Sequence, residues 1–329
     1  MFDLIAIGDP VIDTHVQISD ENNDLVSLIG SEKLCFDYGD KIPIIDSFQS
    51  LGGNAPNVGI AAAKLGMKTA LLSTVGNDVN GVFALNELAR HKVDLNMVYV
   101  DKKSKTRYAI VLNYHSERTI LSYSHEKHYK WPKKFPGAKW IYYTGLSKGF
   151  EAIQHNLIAH LKHHGTETKL AINPGSYIMK YAKEKLMEMM PLTDLLIVNK
   201  EEAELVAGTT MEQAGGALKL IELVHGTGPR EVVLTDGVRG AWGSGYGHMW
   251  HMSSFPIHVV AKTGAGDAFS AAYITARFLD LPIDEALAWG TADSTGVISE
   301  HGPHKGLLDR KGVKKTLEKF KNVRSQKLV

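Results

Sequence analysis

The chain has 329 residues, with 37 Lys and Arg against 36 Asp and Glu. The net charge of +1 leaves no basic field to attract nucleic acid or an acidic membrane surface, so neither partner is expected. A single cysteine, Cys35, excludes an internal disulfide and any metal site built on a cysteine pair. The length suits one large α/β domain with a small appendage, and a single domain over residues 1–329 is expected.

Along the chain, the apolar run Leu4-Ile5-Ala6-Ile7 reads as a first strand that is far too short to span a bilayer. Asp3 stands where a signal peptide would carry positive charge, so a cytoplasmic location is expected. From Val11 to Ile18, the residues Ile12, Thr14, Val16 and Ile18 alternate with Asp13, His15 and Gln17, the pattern of a two-faced strand. Gly52-Gly53-Asn54-Ala55-Pro56-Asn57 leads into a helix through Val58, Ala61, Ala62 and Leu65 that stops at Gly66.

Beyond Gly66 the pattern predicts strands at 69–75, 139–144, 168–173, 195–199 and 231–235. Helices are predicted between them at about 80–90, 148–163, 178–190 and 211–224. Such alternation builds a parallel sheet covered by helices on both faces, so the fold class is α/β. Tyr108 to Ser124 breaks the rule and reads as a hairpin turning at His115-Ser116-Glu117-Arg118. With Val11–Ile18 and the stretch from about 30 to 50, it forms either a small sheet projecting from the main domain or ordinary edge hairpins. His160, His163 and His164 lie at the polar end of a helix and lack a zinc-like ligand set. Lys314 to Lys327 reads as a basic amphipathic helix with a solvated face, running into a frayed tail.

Two segments carry the chemistry. Lys262-Thr263-Gly264-Ala265-Gly266-Asp267 precedes a helix marked by Phe269, Ala272, Tyr273, Ala276 and Leu279. Its small residues let backbone N–H groups close on a ligand oxygen where the helix dipole favours negative charge, which makes an anion hole. Taken alone, Asp267 reads equally well as a helix N-cap. Asn199 and Glu202 follow the apolar run Leu195-Leu196-Ile197-Val198. Their spacing fits a capping box, and it also fits a Mg²⁺ site, because Mg²⁺ keeps most of its waters and needs few carboxylates.

In this order, Gly52 to Asn57, Asn199 to Glu202 and Thr263 to Asp267 resemble three motifs of the PfkB/ribokinase-like carbohydrate kinase family. These are its Gly-Gly-rich, Asn-x-x-Glu and Thr-Gly-Ala-Gly-Asp signatures, and the resemblance spans nearly the whole chain. It implies a ribokinase-like three-layer α/β/α fold with a mainly parallel sheet and a β lid drawn from about 12–50 and 106–124. It also implies transfer of the γ-phosphoryl group of ATP, with Mg²⁺, to a hydroxyl of a sugar, and the Gly-Gly-Asn-Ala-Pro-Asn wording is more similar to fructokinase and ribokinase relatives than to sugar-phosphate kinases.

By that resemblance Asp267 is the catalytic base, and the amides of Gly264, Ala265 and Gly266 hold the charge on the transferred phosphoryl group. Asp13, Gly52, Gly53, Asn54 and Asn57 bind the acceptor, and Arg107 and Tyr108 on the lid border it. Asn199, Thr235, Gly237, Gly240, Lys262 and Ser294 fall on the nucleotide side, and Glu202 reaches Mg²⁺ partly through water.

The match departs at two places. Ala261 stands where the family commonly carries an acid that helps hold a monovalent cation, so no dependence on K⁺ is expected and Lys262 is the substitute charge. Asn173-Pro174-Gly175 replaces an Asp-x-Asn pattern and removes a carboxylate from the cleft. The partner expected is a small sugar or sugar-like alcohol, and exposed lid edges favour a homodimer. One rival reading is a nucleoside kinase in which Tyr108, Phe36 and Tyr38 stack on a base. Another is a non-catalytic sugar-binding regulator, against which the intact Asp267 argues. A nicotinamide-dependent dehydrogenase is disfavoured, since no Gly-x-Gly-x-x-Gly follows the first strand.

Overall fold

Apolar runs that cannot alternate with polar residues must be buried on both faces, and they form the centre of one sheet. In the computed structural model, which describes residues 1–19, 34–36, 38–114, 117–164 and 167–329, the strands run in chain order. They are β1 (Phe2–Ile7), β2 (Val11–Ile18), β3 (Ile44–Gly52), β4 (Thr69–Gly76), β5 (Asp94–Asp101), β6 (Arg107–Tyr114) and β7 (Glu117–Tyr123). There follow β8 (Ala138–Tyr143), β9 (Lys169–Ile172), β10 (Leu195–Asn199), β11 (Glu231–Thr235), β12 (Ala241–Gly245), β13 (His248–Met252) and β14 (Gln326–Lys327). The helices are α1 (Asn54–Lys64), α2 (Val79–Arg90), α3 (Glu151–His164), α4 (Ser176–Tyr181), α5 (Lys183–Met189) and α6 (Lys200–Ala207). The remainder are α7 (Met211–Ala214), α8 (Ala217–His225), α9 (Ala265–Phe278), α10 (Ile283–Ile298) and α11 (Arg310–Lys319).

The main sheet has the order β14-β13-β12-β11-β10-β9-β8-β1-β4-β5. From β11 to β5 every pairing is parallel, and β12, β13 and β14 extend one edge antiparallel. Alternation along each strand divides the core between two faces. Leu4 and Ala6 of β1 pack toward α1, α9 and α10, whereas Ile5 and Ile7 pack toward α3, α5 and α8. The result is the three-layer arrangement expected for this pattern.

Two predicted helices are each split. The one at 178–190 breaks at Ala182, which leaves helical geometry at φ −147°, and the one at 211–224 breaks at Gly215 and Gly216, whose φ angles are +90° and +113°. Residues 314–327 are not one helix either, because α11 ends at Lys319 and Gln326 and Lys327 pair with β13.

The second sheet has the order β3-β2-β6-β7 and forms the lid. It is one sheet and not two separate hairpins, since β2 and β6 pair in parallel between two antiparallel neighbours. The register sets Asp13 opposite Ala109, Val11 opposite Arg107, and Asn113 opposite Arg118. Alternation therefore puts Asp13, Arg107 and Arg118 on one face. Tyr108 lies opposite Ile12 and Tyr123, on the other face. Of the lid expected over 12–50 and 106–124, residues 20–33, 37 and 115–116 fall outside the described residues. Phe48, Ile120 and Leu121 are about half exposed on this sheet.

Where β1 meets the lid, Asp9 is buried and heavily bonded. It accepts from Tyr129 Oη at 2.7 Å, from Ser147 N and Oγ at 3.0 and 2.7 Å, and pairs with Lys127 Nζ at 3.2 Å. Lys127 is itself buried and donates to the Thr74 carbonyl at 2.8 Å. Burial lowers its pKa, and the Asp9 carboxylate opposes that shift. Removing one partner of such a pair strands the other charge in the interior, so Lys127→Met is expected to destabilise the fold by about 3–5 kcal/mol in denaturant unfolding. A loss below about 1 kcal/mol would show that the pair is no stronger than a surface one.

Candidate active site

The parallel sheet has its switch point at β1, which pairs with β4 on one side and with β8 on the other. A crevice opens there outside the carboxyl ends of the strands, and the functional side chains converge on it. Gly8 brings β1 close to its neighbours, because a Cβ there would lie 2.8 Å from Ala55 and 2.9 Å from Thr144. The start of α1 is thereby held against the crevice.

Gly264 is the N-cap of α9, with φ +82°, and no side chain caps the helix. A Cβ at Gly264 would lie 2.6 Å from Pro303, whereas one at Gly266 would meet nothing within 4 Å. The fold therefore requires the first glycine, while the second leaves open space in front of the amides of the first turn. Free N–H groups at a helix start with room before them form an anion site.

Asp267 is the third residue of α9 and does not cap it. Its Oδ2 accepts from Asn57 Nδ2 of α1 at 2.7 Å. Burial pushes its pKa up to about 6, the Asn57 hydrogen bond opposes the shift, and the nearby Asp13 charge adds to it. Asp13 is also raised to about 6 by burial, against the pull of the Arg107 and Arg118 guanidiniums. Two carboxylates, one on the lid and one on α9, thus address the same cleft and remain mostly ionised at pH 7.

The glycines of the first motif serve this arrangement. A Cβ at Gly52 would sit 2.3 Å from Asp13 Oδ2, so the carboxylate lies directly against the backbone. Gly53 has φ +96°, and a side chain there would strike the Asp9 carbonyl. Asn54 Nδ2 donates to Asn173 Oδ1, and Asn173 Nδ2 donates to the Ile197 carbonyl, both at 2.9 Å. Asn57 is buried and bonded at both ends, with its Oδ1 2.8 Å from His304 Nε2.

Arg107 reaches the cleft, where its charge opposes the rise in the Asp13 pKa. Its Nη1 is 3.9 Å from Asp9, whose carboxylate Lys127 already matches, and its Nε is buried without a hydrogen-bond partner. Arg118 Nη1 donates to Thr263 Oγ1 at 2.7 Å, so the lid touches the glycine turn. Tyr108, on the opposite face, stacks on Tyr123 with ring centroids 5.2 Å apart and does not join the cleft.

On the other side of the crevice Asn199 and Thr235 are adjacent in register at the ends of β10 and β11. Asn199 and Glu202 complete a capping box, with Glu202 N donating to Asn199 Oδ1 at 2.8 Å and Asn199 N donating to Glu202 Oε2 at 3.0 Å. The cap does not exhaust Glu202. Burial pushes its pKa up to about 7, the Asn199 amide opposes this, and the charges of Glu201 and Asp267 add to it. Gly237 lies open at φ +50°, whereas Gly240 at φ +89° is demanded by packing against the Met252 carbonyl. Ser294 is half-buried on α10. Lys262 is exposed and makes no ion pair among the described residues, and Ala261 offers no carboxylate. Sequence reasoning did not single out Arg118, His304, Asp9, or the buried hydroxyls of Tyr142 and Thr144.

The model of the pfkB family carbohydrate kinases matches residues 28–310. The chain belongs to this family. It is 25% identical over 275 residues to the ribokinase of Haemophilus influenzae, covering 81% of the chain and 87% of that relative. It is 23% identical over 303 residues to the 5-dehydro-2-deoxygluconokinase of Clostridium tetani, covering 85% and 87%. The Arabidopsis thaliana ribokinase complexed with ribose and ATP superposes with a TM-score of 0.78 at 21% identity, over 96% of this chain and 99% of that one. The chain is therefore a ribokinase-fold phosphotransferase that acts on a hydroxyl group. No helix among the described residues is long and apolar enough to cross a membrane.

A carboxylate raised to about 6 holds its proton better in the folded than in the unfolded chain. Its favourable contribution to stability is complete below about pH 4 and lost as the pH rises through 6. Asp267→Asn is thus expected to lower turnover by at least about a thousandfold. It should also raise the melting temperature relative to the parent at pH 8 and not at pH 4. Turnover within tenfold of the parent, or a lower melting temperature at pH 8, would contradict this.

Proposed function

We propose that the chain transfers the γ-phosphoryl group of ATP to a hydroxyl of a sugar or sugar-like acceptor. The observation that carries this reading is Asp267 at the mouth of α9, held by Asn57 beneath an open glycine turn and facing Asp13. Asp13 and the bare backbone at Gly52 and Gly53 hold the acceptor hydroxyls, since a carboxylate can accept from adjacent hydroxyls. Asp267 takes the proton of the attacking hydroxyl. The amides of Gly264, Ala265 and Gly266 stabilise the charge that develops on the transferred group. Thr235, Gly237 and Ser294 border the nucleotide side.

Glu202 fits Mg²⁺. It is a single partly buried carboxylate with hard oxygen donors, and one carboxylate suits an ion that keeps most of its waters. When bound, the ion neutralises charge on the ATP phosphates. Glu202→Gln is expected to raise the Mg²⁺ concentration for half-maximal rate about tenfold, with the acceptor KM nearly unchanged. An unaltered Mg²⁺ dependence would confine Glu202 to its capping role.

A second reading concerns the acceptor. A ribokinase and a 5-dehydro-2-deoxygluconokinase resemble the chain to nearly the same degree, so the family sets the reaction class and the site must choose the acceptor. Arg107 and Arg118 share the lid face with Asp13, and Arg107 has an unused buried donor. Two guanidiniums beside the acceptor favour one that bears a carboxylate or phosphate as well as hydroxyls. Stacking on a nucleobase loses support, because Tyr108 faces away. In an ADP-release assay over neutral sugars, sugar acids, sugar phosphates and nucleosides, an anionic sugar is expected to give the highest kcat/KM. Arg107→Leu should raise its KM about tenfold or more while sparing neutral sugars. The strongest activity on a neutral sugar, with Arg107→Leu silent, would return the assignment to the neutral acceptors. No turnover of any compound would leave only the sugar-binding regulator.

A further inference from the structure

The loop that follows α10 is held in place at three points. Gly296 and Gly306 are in close contact, since a Cβ at Gly306 would lie 2.0 Å from the Gly296 carbonyl oxygen. Asp293 Oδ1 accepts from Leu308 N at 2.7 Å, and Pro303 packs on Gly264 at the start of α9. Between these anchors stands His304. Its Nε2 lies 2.8 Å from Asn57 Oδ1, and its ring packs against His91 with centroids 5.4 Å apart.

An amide oxygen can only accept, so this contact requires His304 Nε2 to carry the hydrogen. Asn57 then has one orientation: its oxygen turned to His304 and its N–H turned to Asp267. A flipped amide would set N–H against N–H at His304 and oxygen against carboxylate oxygen at Asp267. We propose that His304 is a positioning residue, which acts through Asn57 to keep a hydrogen-bond donor on the catalytic Asp267. His304 touches neither acceptor nor nucleotide in this assignment. Burial, with the neighbouring His91, lowers its pKa to about 4, so the ring is neutral at working pH and serves as a fixed donor and not as a charge. The inference rests on the reading of Asp267 as the base.

Two variants separate the donor from the ring. His304→Phe keeps a flat ring against His91 and removes the N–H, whereas His304→Gln gives up the ring and keeps an N–H at similar reach. The measurement is kcat and KM for ATP and for the best acceptor, on protein that melts cooperatively, with Asp267→Asn beside it. His304→Phe is expected to lower kcat about tenfold or more with both KM values within about twofold, and His304→Gln to stay within about threefold of the parent. A ring with only a packing role gives the reverse order, and that result overturns the inference. Equal activity of the two variants, whether both intact or both impaired, overturns it too. If Asp267→Asn itself turns over normally, the reading of the base fails and takes this inference with it. If Asp267→Asn is inactive while His304→Phe is normal, only the inference fails.

Discussion

The hydrogen bond from Asn57 to Asp267 joins the first helix of the domain to the ninth, across 210 residues of sequence. The glycine motif before α1 and the glycine turn before α9 have meaning only once this bond brings them together. Gly8 lets α1 approach β1, Pro303 wedges the turn at Gly264, and the two helices pack side by side over the sheet. The lid then adds Asp13 from above, at the one strand position where Gly52 leaves room for its carboxylate.

This convergence works against stability. Asp13, Asp267 and Glu202 are each raised by burial, and each raises or is raised by another through like charge. Carboxylates driven together into a crevice are a feature of sites that have work to do, and a fold without that work would separate them. The neighbouring donors moderate the strain: Asn57 for Asp267, Asn173 and the Asn199 amide for Glu202, and Arg107 and Arg118 for Asp13. A bound cation and a charged ligand would relieve the remainder.

Much of this was legible in the chain itself. Strand and helix periods placed β4, β8, β9, β10 and β11 and the helices between them, because residues buried on both faces leave long apolar runs. The three motifs led to Asp267, Asn57 and Glu202, because glycines and small residues announce close backbone approach, and the polar face of the first lid strand with the family resemblance led to Asp13. Tyr108 was misread for want of register: one position along a strand moves a side chain to the opposite face. The split at Gly215 and Gly216 went unseen because the apolar period continues across it. The edge strands β12 and β13 mix Trp242, Gly243, Ser244 and His251, a pattern with no clear alternation. His304 had no local signature at all, since its partner lies 247 residues away.

The most direct test of the central claim, that Asn57 keeps Asp267 ionised as the base, is the pH profile of kcat/KM for the parent and for Asn57→Ala. The parent should lose activity below an apparent pKa near 6, the value to which burial raises Asp267. Without the N–H donor the carboxylate loses the group that opposes this shift, so the acid limb should move upward by about one unit. An acid limb that stays in place in Asn57→Ala, or one near 4 in the parent, the range of an unperturbed carboxylate, would contradict it.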